Sequence, residues 1–201
     1  MRPDTDYLAA IAIMRAGKMR RLPVVDENGQ LVGIVSASTL QNIQIPDDPR
    51  KQAIQADGVL VRIGDVMTRE VITVSADYPL EEAADLMIEH RIGFLPVVEG
   101  DQLVGIITDT DIFRVLVQVL GGGSASIRIC VEVDNKPGEF SQVTRRVASV
   151  GGNILSVASL LAESDDRMKL TMRIEGASPE ALVDAIKTHP NVGITDVWDA
   201  R

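Results

Sequence analysis

The residues best suited to chemistry lie in the segment 105–111, where an apolar run gives way to hydroxyl and carboxyl side chains. The pattern predicts a strand that ends at Thr108 and a helix that begins within the next two residues. Backbone N–H groups at a helix start have no partner inside the helix and attract phosphate, and the Thr108 hydroxyl adds a donor. The Asp111 carboxylate can accept hydrogen bonds from both hydroxyls of a ribose. The alternative is that Thr108 and Asp111 only cap the helix.

A strand, a helix and a hairpin must position this segment. Residues 71–74 (VITV) are typical of a short buried strand, and Pro79 then opens a helix with an acidic first turn. Two apolar runs, 94–98 and 102–108, are joined by a short polar turn and predict a hairpin. The unit is therefore strand, helix, strand, strand, helix.

The same unit occurs twice. Residues 22–40 (LPVVDENGQLVGIVSASTL) and 95–112 (LPVVEGDQLVGIITDTDI) share the LPVV and LVGI runs. An internal repeat of this kind predicts two like units packed on each other, and a cleft between them is a natural place for a small ligand. Nothing before Asp4 matches the segment 66–74 that leads into the second copy. Either another segment fills that edge, or the chain starts later than its relatives do.

A different pattern follows Gly121–Ser124, which predicts a flexible hinge. Helices are predicted from Phe140 and from Pro179. The predicted strands lie at 127–133, 153–162, 167–175 and 192–198. The order strand, helix, strand, strand, helix, strand is that of the ferredoxin-like split unit. We expect helices on one face of its sheet and a second face that is open to a partner.

Composition narrows the class of function. The chain has 201 residues and a formal net charge of −9, which argues against non-specific binding to nucleic acid or to an anionic membrane. Its single cysteine and two separated histidines exclude an internal disulfide and a clustered metal site. The sequence has no apolar stretch that spans a bilayer and no signal peptide, so we expect a cytoplasmic protein. It also has no nucleophile–base pair, Walker-type loop or G-x-G-x-x-G motif, which argues against an enzyme.

The duplicated part, roughly residues 4–120, resembles a pair of CBS domains, a Bateman module. The resemblance rests on LPVV, LVGI and T-x-x-D, preceded by VMT and VITV. The last third resembles an ACT domain through DNKPGEF and GGNI, and the domain order is similar to that of the acetoin-utilisation protein B group. The implied fold is α+β: a tandem CBS pair whose first repeat is truncated at its N-terminus, followed by a ferredoxin-like βαββαβ ACT domain. The implied boundaries are 1–43 for the first repeat, 44–62 for a connector, 63–120 for the second repeat, 121–125 for a Gly-rich hinge and 126–201 for the ACT-like domain.

The CBS resemblance implies an adenosine nucleotide at Thr108 and Asp111, which would hold its phosphate and its ribose. Arg91 is a further candidate for the phosphate, with a surface salt bridge as the alternative. The residues implied to enclose the adenine are Val71, Ile72, Thr73, Ile92 and Pro96.

The first repeat departs from this pattern. Ser36 matches Thr108. Thr39, however, stands where the second repeat has Asp111, and a threonine cannot offer two carboxylate oxygens to a diol. Three cations precede LPVV, and they either reach a phosphate in the shared cleft or form a solvated basic face. These cations are Lys18, Arg20 and Arg21. We therefore expect one nucleotide site per chain, centred on Asp111.

In the ACT-like part, the resemblance points to an amino-acid ligand at Asn135, Gly138 and Asn153. The turn 134–138 presents backbone N–H groups to a carboxylate, and Asn153 is expected to begin the next strand beside it. The alternative is a dimerisation domain whose turn needs Asn and Gly for its backbone conformation.

These features predict a non-enzymatic regulatory sensor that requires no cofactor. AMP, ADP or ATP, with S-adenosylmethionine as an alternative, would bind between the CBS repeats and stabilise one arrangement of them. We expect a homodimer through the CBS domains, the ACT domain or both, and a target protein that the sequence does not identify. The alternative function is a structural dimerisation module with a vestigial pocket.

Overall fold

The structure is a computed structural model that describes residues 1–41, 61–162 and 166–199. The chain divides into two compact units, Met1–Ile112 and Phe113–Arg201, and each is described by itself. The first unit contains both hairpins of the repeat. The predicted connector, 44–62, lies outside the described residues apart from its last two.

The first repeat consists of two helices around a hairpin. Its elements are α1 (Tyr7–Ala16), β1 (Arg21–Val25), β2 (Leu31–Ser36) and α2 (Ala37–Gln41). Helix α1 begins after Asp6, whose Oδ1 accepts a hydrogen bond from the N–H of Leu8 at 2.7 Å and caps the helix. The two strands pair antiparallel. Apolar residues at helical and alternating spacing, including Ala10 and Val24, form the core of this repeat.

The second repeat has the same order of elements. They are α4 (Leu80–Glu89), β3 (Phe94–Glu99), β4 (Gln102–Thr108) and α5 (Asp109–Val119), preceded by α3 (Ile63–Val66). The predicted helix after Pro79 and the predicted hairpin are confirmed. The predicted strand at 71–74 is reduced to a single parallel bridge between Val74 and Val97, because the residues before Val74 run toward the first repeat.

One residue of the first repeat occupies the place of that bridge. Met1 makes two backbone hydrogen bonds to β1, at 3.0 and 2.9 Å. Val74 makes the same two bonds to β3, at 3.1 and 2.9 Å. Met1 is therefore the counterpart of Val74, although the sequence comparison found no counterpart before Asp4.

The segment 61–68 packs on the first repeat. Ile63 of α3 is fully buried in the core of that repeat. Thr68 forms a bridge with Ile34 on β2 through two backbone hydrogen bonds, each of 2.9 Å. The predicted boundary at residue 63 assigns this segment to the second repeat. The boundary stays a prediction, and the structure shows that this segment packs on the first repeat, because Thr68 pairs with the outer edge of β2.

The second unit has the predicted order of strands and helices. Its elements are β5 (Ile127–Asp134), α6 (Glu139–Ser149), β6 (Asn153–Leu161), β7 (Arg167–Glu175), α7 (Pro179–Lys187) and β8 (Gly193–Asp199). The strands form one antiparallel sheet in the order β6-β7-β5-β8. One sheet face and the two helices share an aliphatic core. Its buried members are Ile127, Ile129, Val131, Val133, Val143, Val147, Leu170, Met172, Ile174, Leu182 and Ile186.

The predicted flexible hinge is a hydrogen-bonded turn. The Ser124 hydroxyl donates to the carbonyl of Gly121 at 2.7 Å. Gly121 has a φ of 67°, and a Cβ there would lie 2.8 Å from the Ser156 hydroxyl. A Cβ on Gly122 would lie 3.0 Å from the carbonyl oxygen of Val117. Close packing therefore gives a local reason for these glycines, and the hinge stays a prediction.

Candidate functional site

One pocket of the first unit is walled by residues of both repeats. Its volume is about 220 Å³. Five apolar side chains, three hydroxyls and two charged groups line it: Ile34, Val71, Ile72, Ile92, Phe94, Ser36, Thr39, Thr68, Arg21 and Glu70. The structure therefore brings five of the predicted site residues together, and they are Arg21, Ser36, Val71, Ile72 and Ile92.

Ser36 and Thr39 form a hydroxyl pair where β2 meets α2. The N–H of Thr39 donates to Ser36 Oγ at 3.0 Å, and the two hydroxyl oxygens lie 2.8 Å apart. Ser36 Oγ also lies 2.8 Å from the hydroxyl of Ser38. The pair caps α2 and lines the pocket. It can donate to and accept from a polar ligand, but it carries no charge.

Arg21 supplies the positive charge of the pocket. It is the first residue of β1, and Phe94 holds the equivalent position in β3. The guanidinium carbon of Arg21 lies 4.6 Å from the centre of the Phe94 ring, a cation–π contact that orients the side chain. A guanidinium held in this way can bind a phosphate or a carboxylate. Glu70 lines the same pocket and reduces its positive potential.

Thr108 and Asp111 form a capping box at the start of α5. Asp111 Oδ2 accepts hydrogen bonds from the Thr108 hydroxyl at 2.6 Å and from the Thr108 N–H at 3.0 Å. The N–H of Asp111 donates to Thr108 Oγ1 at 3.3 Å. This reciprocal pattern is the geometry of a helix cap. The two residues therefore cap the helix, and both a ligand at Asp111 and the alternative of a cap alone stay predictions.

The structure separates two groups of residues that the sequence placed in one site. Thr108 and Asp111 are not among the residues that line the pocket with Val71 and Ile72. The reason is the path of the chain, since the bridge at Thr68 carries residues 68–72 along β2 of the first repeat. In this pocket, the wall from the second repeat faces the hydroxyl pair of the first. A site that also includes Thr108 and Asp111 stays a prediction.

Four lining residues with polar or aromatic side chains were missed by the sequence reasoning. They are Thr39, Thr68, Glu70 and Phe94. One signal could have found Thr39, because it holds the register position of Asp111 in the other repeat. Phe94 holds the register position of Arg21 in the same way. Thr68 and Glu70 have no such signal, because the chain path that brings them there depends on a single backbone bridge.

The remaining predicted nucleotide residues lie elsewhere. Thr73 lines a separate hollow of about 180 Å³. Pro96 is buried in β3, and its carbonyl accepts a backbone hydrogen bond. Arg91 is exposed and has a φ of 53°. Arg20 is exposed and lines a groove of about 330 Å³ together with Lys18.

The turn after β5 is a cluster of charges. Asp134 accepts hydrogen bonds from Lys136 Nζ and from Arg167 Nη1, both at 2.9 Å. The hydrogen bond from Lys136, followed by that from Arg167, lowers the pKa of Asp134 below its usual value. The hydrogen bond to Asp134 is in turn the main cause that raises the pKa of Lys136. Gly138 has a φ of 94° and precedes α6, which is a backbone reason for glycine at this position.

The three residues predicted to hold an amino acid do not converge within one chain. Asn135 and Gly138 belong to the turn after β5, whereas Asn153 begins β6 and donates a hydrogen bond to Glu175 at 2.9 Å. The strand register places Asn153 near the start of β5, whereas the turn follows the end of that strand. Because a strand rises about 3.3 Å per residue, the two lie roughly 25 Å apart. The cause is the crossover through α6, which returns the chain to the opposite end of the sheet. The expectation that Asn153 lies beside the turn is wrong.

Within 1–41, 61–162 and 166–199, no group of three or more His, Cys, Asp or Glu side chains could hold a metal ion. None of the helices described here is long and apolar enough to cross a membrane. The buried His189 has a structural position, with Nε2 at 2.9 Å from the Glu139 carboxylate and Nδ1 at 2.5 Å from the Pro190 carbonyl oxygen.

The family model for the CBS domain matches residues 1–44 and 63–118. A CBS domain-containing protein of Dictyostelium discoideum is 31% identical over 120 residues, which cover 58% of this chain and 83% of that protein. The second unit lies almost entirely outside the residues that the family model matches, so its resemblance to ACT domains stays a prediction.

The solved structures that are similar to this chain include two that bear on its function. The crystal structure of CBSX2 in complex with AMP shares 32% sequence identity and has a TM-score of 0.51. The matched residues make up 59% of this chain and 87% of that chain. A protein assigned to acetoin utilization in Vibrio cholerae shares 33% identity and has a TM-score of 0.51. The matched residues make up 60% of this chain and 84% of that chain.

Proposed function

The chain belongs to the family of CBS domain-containing proteins, and from this premise we propose that it is a non-enzymatic regulatory protein that binds an adenosine ligand between its two repeats. One observation carries the proposal: a pocket of about 220 Å³ with walls from both repeats. A ligand that contacts both walls favours the arrangement of the repeats that it binds best. A target protein would respond to that arrangement.

The composition of the pocket supports a nucleoside with a phosphate. Val71, Ile72 and Ile92 offer apolar surface to an adenine ring. The Ser36–Thr39 pair offers hydroxyls to a ribose, and Arg21 offers a guanidinium to a phosphate. The AMP bound to CBSX2 supports the same class of ligand.

AMP is the preferred candidate among AMP, ADP, ATP and S-adenosylmethionine. The pocket volume of about 220 Å³ lies below the roughly 300–1,000 Å³ of typical ligand clefts, so a base and sugar would fill it. Further phosphates would extend into solvent, where each adds charge repulsion from a chain of net charge −9. Homodimerisation and a cytoplasmic location remain predictions beside this proposal.

The test is a titration of the full chain with AMP and with adenosine. We expect AMP at a hundred times its Kd to raise the free energy of unfolding by about 2.7 kcal/mol, measured as an increase in Tm. Arg21→Ala should weaken AMP at least about tenfold, because a hydrogen bond to a charged group contributes roughly 1.5–3 kcal/mol. Adenosine, which has no phosphate, should bind both proteins equally. Arg20→Ala is the matched control, since Arg20 does not line the pocket.

Two outcomes would contradict the proposal. Flat calorimetry with all four adenosine compounds on folded protein would exclude adenosine sensing. Binding that survives Arg21→Ala but is lost in Asp111→Ala would place the ligand at the start of α5, as the sequence alone predicted.

A structural dimerisation module is the second candidate function. Thr39 favours it, because its hydroxyl is already paired with Ser36 and offers no carboxylate to a ribose. The same titration separates the two candidates, since a pure scaffold has no adenosine-dependent change in Tm.

A further inference from the structure

A groove at the C-terminal end of α1 is a second place in the first repeat where a ligand fits. Its volume of about 330 Å³ lies within the roughly 300–1,000 Å³ of typical ligand clefts. Its walls are the last turns of α1, the turn between α1 and β1, and helix α2. No described residue lines both this groove and the pocket that contains Arg21, so the two are separate.

The floor of the groove is apolar and belongs to the core. Met14 and Leu40 are 4% and 2% exposed and form part of the core of the first repeat. Met19 is 42% exposed and adds a flexible apolar wall. Surfaces of this kind suit a short aliphatic body.

Three exposed cations line the same groove, and they are Arg15, Lys18 and Arg20. No described carboxylate forms an ion pair with any of them. The described lining residues also include no Asp or Glu, although the chain as a whole has a net charge of −9. Like charges around one groove repel each other, and a bound anion offsets that repulsion.

The turn that follows α1 is held by backbone hydrogen bonds. The N–H of Met19 donates to the carbonyl of Met14 at 2.9 Å. The N–H of Lys18 donates to the carbonyl of Arg15 at 3.3 Å, which completes a Schellman cap. Lys18 occupies the left-handed position of this cap, with a φ of 52°. The backbone that carries the cations is therefore ordered before a ligand binds, which lowers the cost of binding.

The second repeat has the same turn and fewer cations. Ile88 holds the position of Arg15, and Gly93 holds that of Arg20. Of the three cations, Lys18 alone has a counterpart of like charge. The fold of the repeat therefore does not require the two arginines, and a ligand supplies a reason for them.

The second repeat also places a carboxylate at the equivalent corner. Asp109 holds the position of Ala37, which lines the groove of the first repeat. A Cβ on Gly93 would lie 2.7 Å from Asp109 Oδ2, so this carboxylate lies where the Arg20 side chain begins in the first repeat. The corner of the second repeat therefore repels an anion that the first repeat attracts.

We propose that the groove binds a soluble phosphate monoester with a short aliphatic body, as a second ligand of the first repeat. A phosphate monoester carries a charge of about −1.5 to −2 at neutral pH, which matches three cations better than a carboxylate does. Arginine side chains bind phosphate oxygens through two parallel hydrogen bonds, and the aliphatic body lies on Met14 and Leu40. The net charge of −9 disfavours the other source of such a phosphate, an anionic membrane. This inference does not depend on the adenosine ligand proposed above.

The first test follows the methionine methyl groups of the full chain by NMR during a titration with hexyl phosphate. The signals of Met14 and Met19 should shift and saturate. Met87 holds the position of Met14 in the second repeat, so it is the internal control and should not shift. Hexanol and inorganic phosphate each carry one part of the probe and should bind at least about tenfold more weakly. Unchanged signals of Met14 and Met19, or equal binding of either fragment, would overturn the inference.

The second test separates the groove from the adenosine pocket through neighbouring arginines. Arg15→Ala and Arg20→Ala should each weaken hexyl phosphate about tenfold, because each removes a hydrogen bond to a charged group. Arg21→Ala and Arg91→Ala are the matched controls and should leave its Kd unchanged, since neither residue lines the groove. Circular dichroism confirms that each variant is folded.

Two results of the second test would contradict the inference. Binding that is lost in Arg21→Ala and kept in Arg20→Ala would place hexyl phosphate in the adenosine pocket. Binding to phosphatidate vesicles without a response to hexyl phosphate would show that the groove serves a membrane. A failure of AMP to bind would leave the expected results with hexyl phosphate unchanged, so the two proposals fail separately.

Discussion

The two CBS repeats share several backbone hydrogen bonds but have different side chains at equivalent positions. The N–H of Ala37 donates to the carbonyl of Arg20 at 2.7 Å, and the N–H of Asp109 donates to the equivalent Gly93 at 3.1 Å. Met1 and Val74 make matching pairs of bonds to their hairpins. Lys18 and Arg91 each lie two positions after the end of α1 and α4, and both have a left-handed backbone conformation, with φ of 52° and 53°.

Side chains diverge at the points where each repeat meets something else. The outer face is apolar on α1 and acidic on α4. At the start of the last helix, the first repeat has a neutral hydroxyl pair and the second has a carboxylate in a capping box. The comparison teaches that the backbone frame specifies the repeat, whereas side chains at a few positions outside the core differ without loss of that frame.

The largest expected difference between the repeats concerns the shared glycine of LVGI. A Cβ on Gly33 would lie 2.6 Å from Met67 Sδ and 2.9 Å from the Thr68 carbonyl oxygen. On Gly105, the nearest atom would be Val97 Cβ at 3.8 Å, an ordinary contact. Gly33→Ala should therefore destabilise the first unit by roughly 1–3 kcal/mol. Gly105→Ala should change its stability by less than about 0.5 kcal/mol.

Urea unfolding of the two alanine variants measures this difference directly. The comparison is internally controlled, because the same substitution is made in the same strand of each repeat. Equal losses of stability would mean that the close approach of residues 67 and 68 to β2 does not distinguish the repeats.

The second prediction exchanges the residue that differs at the pocket. Thr39→Asp gives the first repeat the carboxylate that the second repeat has at position 111. If the pocket binds the ribose of AMP, this variant should tighten AMP by about tenfold, the lower end of what a charged hydrogen bond contributes. Deoxyadenosine monophosphate lacks one of the two hydroxyls and should gain less. Calorimetry measures the gain in affinity for each nucleotide. Equal gains for the two would show that the missing ribose hydroxyl does not bind the new carboxylate.

The third prediction compares the two helix caps. Asp111→Ala removes the acceptor of both the N–H and the hydroxyl of Thr108, so it should cost about 1 kcal/mol of stability. Thr39→Ala should cost less, because Ser36 Oγ remains to accept the N–H of residue 39. Thermal unfolding of the two variants at equal concentration gives the order. A larger loss from Thr39→Ala would reverse the assignment of the stronger cap.

The repeat architecture was predictable because apolar periodicity reflects burial. The hairpins, the helix after Pro79 and the βαββαβ order of the second unit all follow from alternating or helical spacing of aliphatic residues. The core positions of the second unit were predictable for the same reason: Leu170 and Met172 alternate with charged or polar neighbours and are fully buried.

The grouping of the site was not predictable from the same patterns. It depends on where residues 68–72 run, and that path follows from the backbone bridge between Thr68 and Ile34, which leaves no trace in side-chain periodicity. The position of Asn153 failed for a related reason, because a crossover helix moves the next strand start to the far end of the sheet. Both concern long-range geometry, whereas most local element types were predicted correctly, apart from the strand at 71–74.

The smallest expected effect also separates the repeats. Asp77 follows Val74 by three residues, and a hydrogen bond from the Ser75 side chain is the main cause that lowers its pKa below 3.8, with its own backbone N–H as the second. Arg2 holds the position of Ser75 in the first repeat and has no hydroxyl to donate. Ser75→Ala should therefore raise the pKa of Asp77, which NMR titration of the carboxyl group measures.

The sign of the accompanying stability change follows from linkage. A carboxyl group with a lowered pKa in the folded state stabilises that state above its unfolded-state pKa, and this contribution is lost as the pH falls through the folded-state value. Ser75→Ala should thus reduce stability slightly at neutral pH and not at all in strong acid. In an Asp77→Asn background, the same substitution should lose its pH dependence, because the titrating group is gone. A pH-dependent effect that persists in that background would show that Ser75 acts on a group other than Asp77.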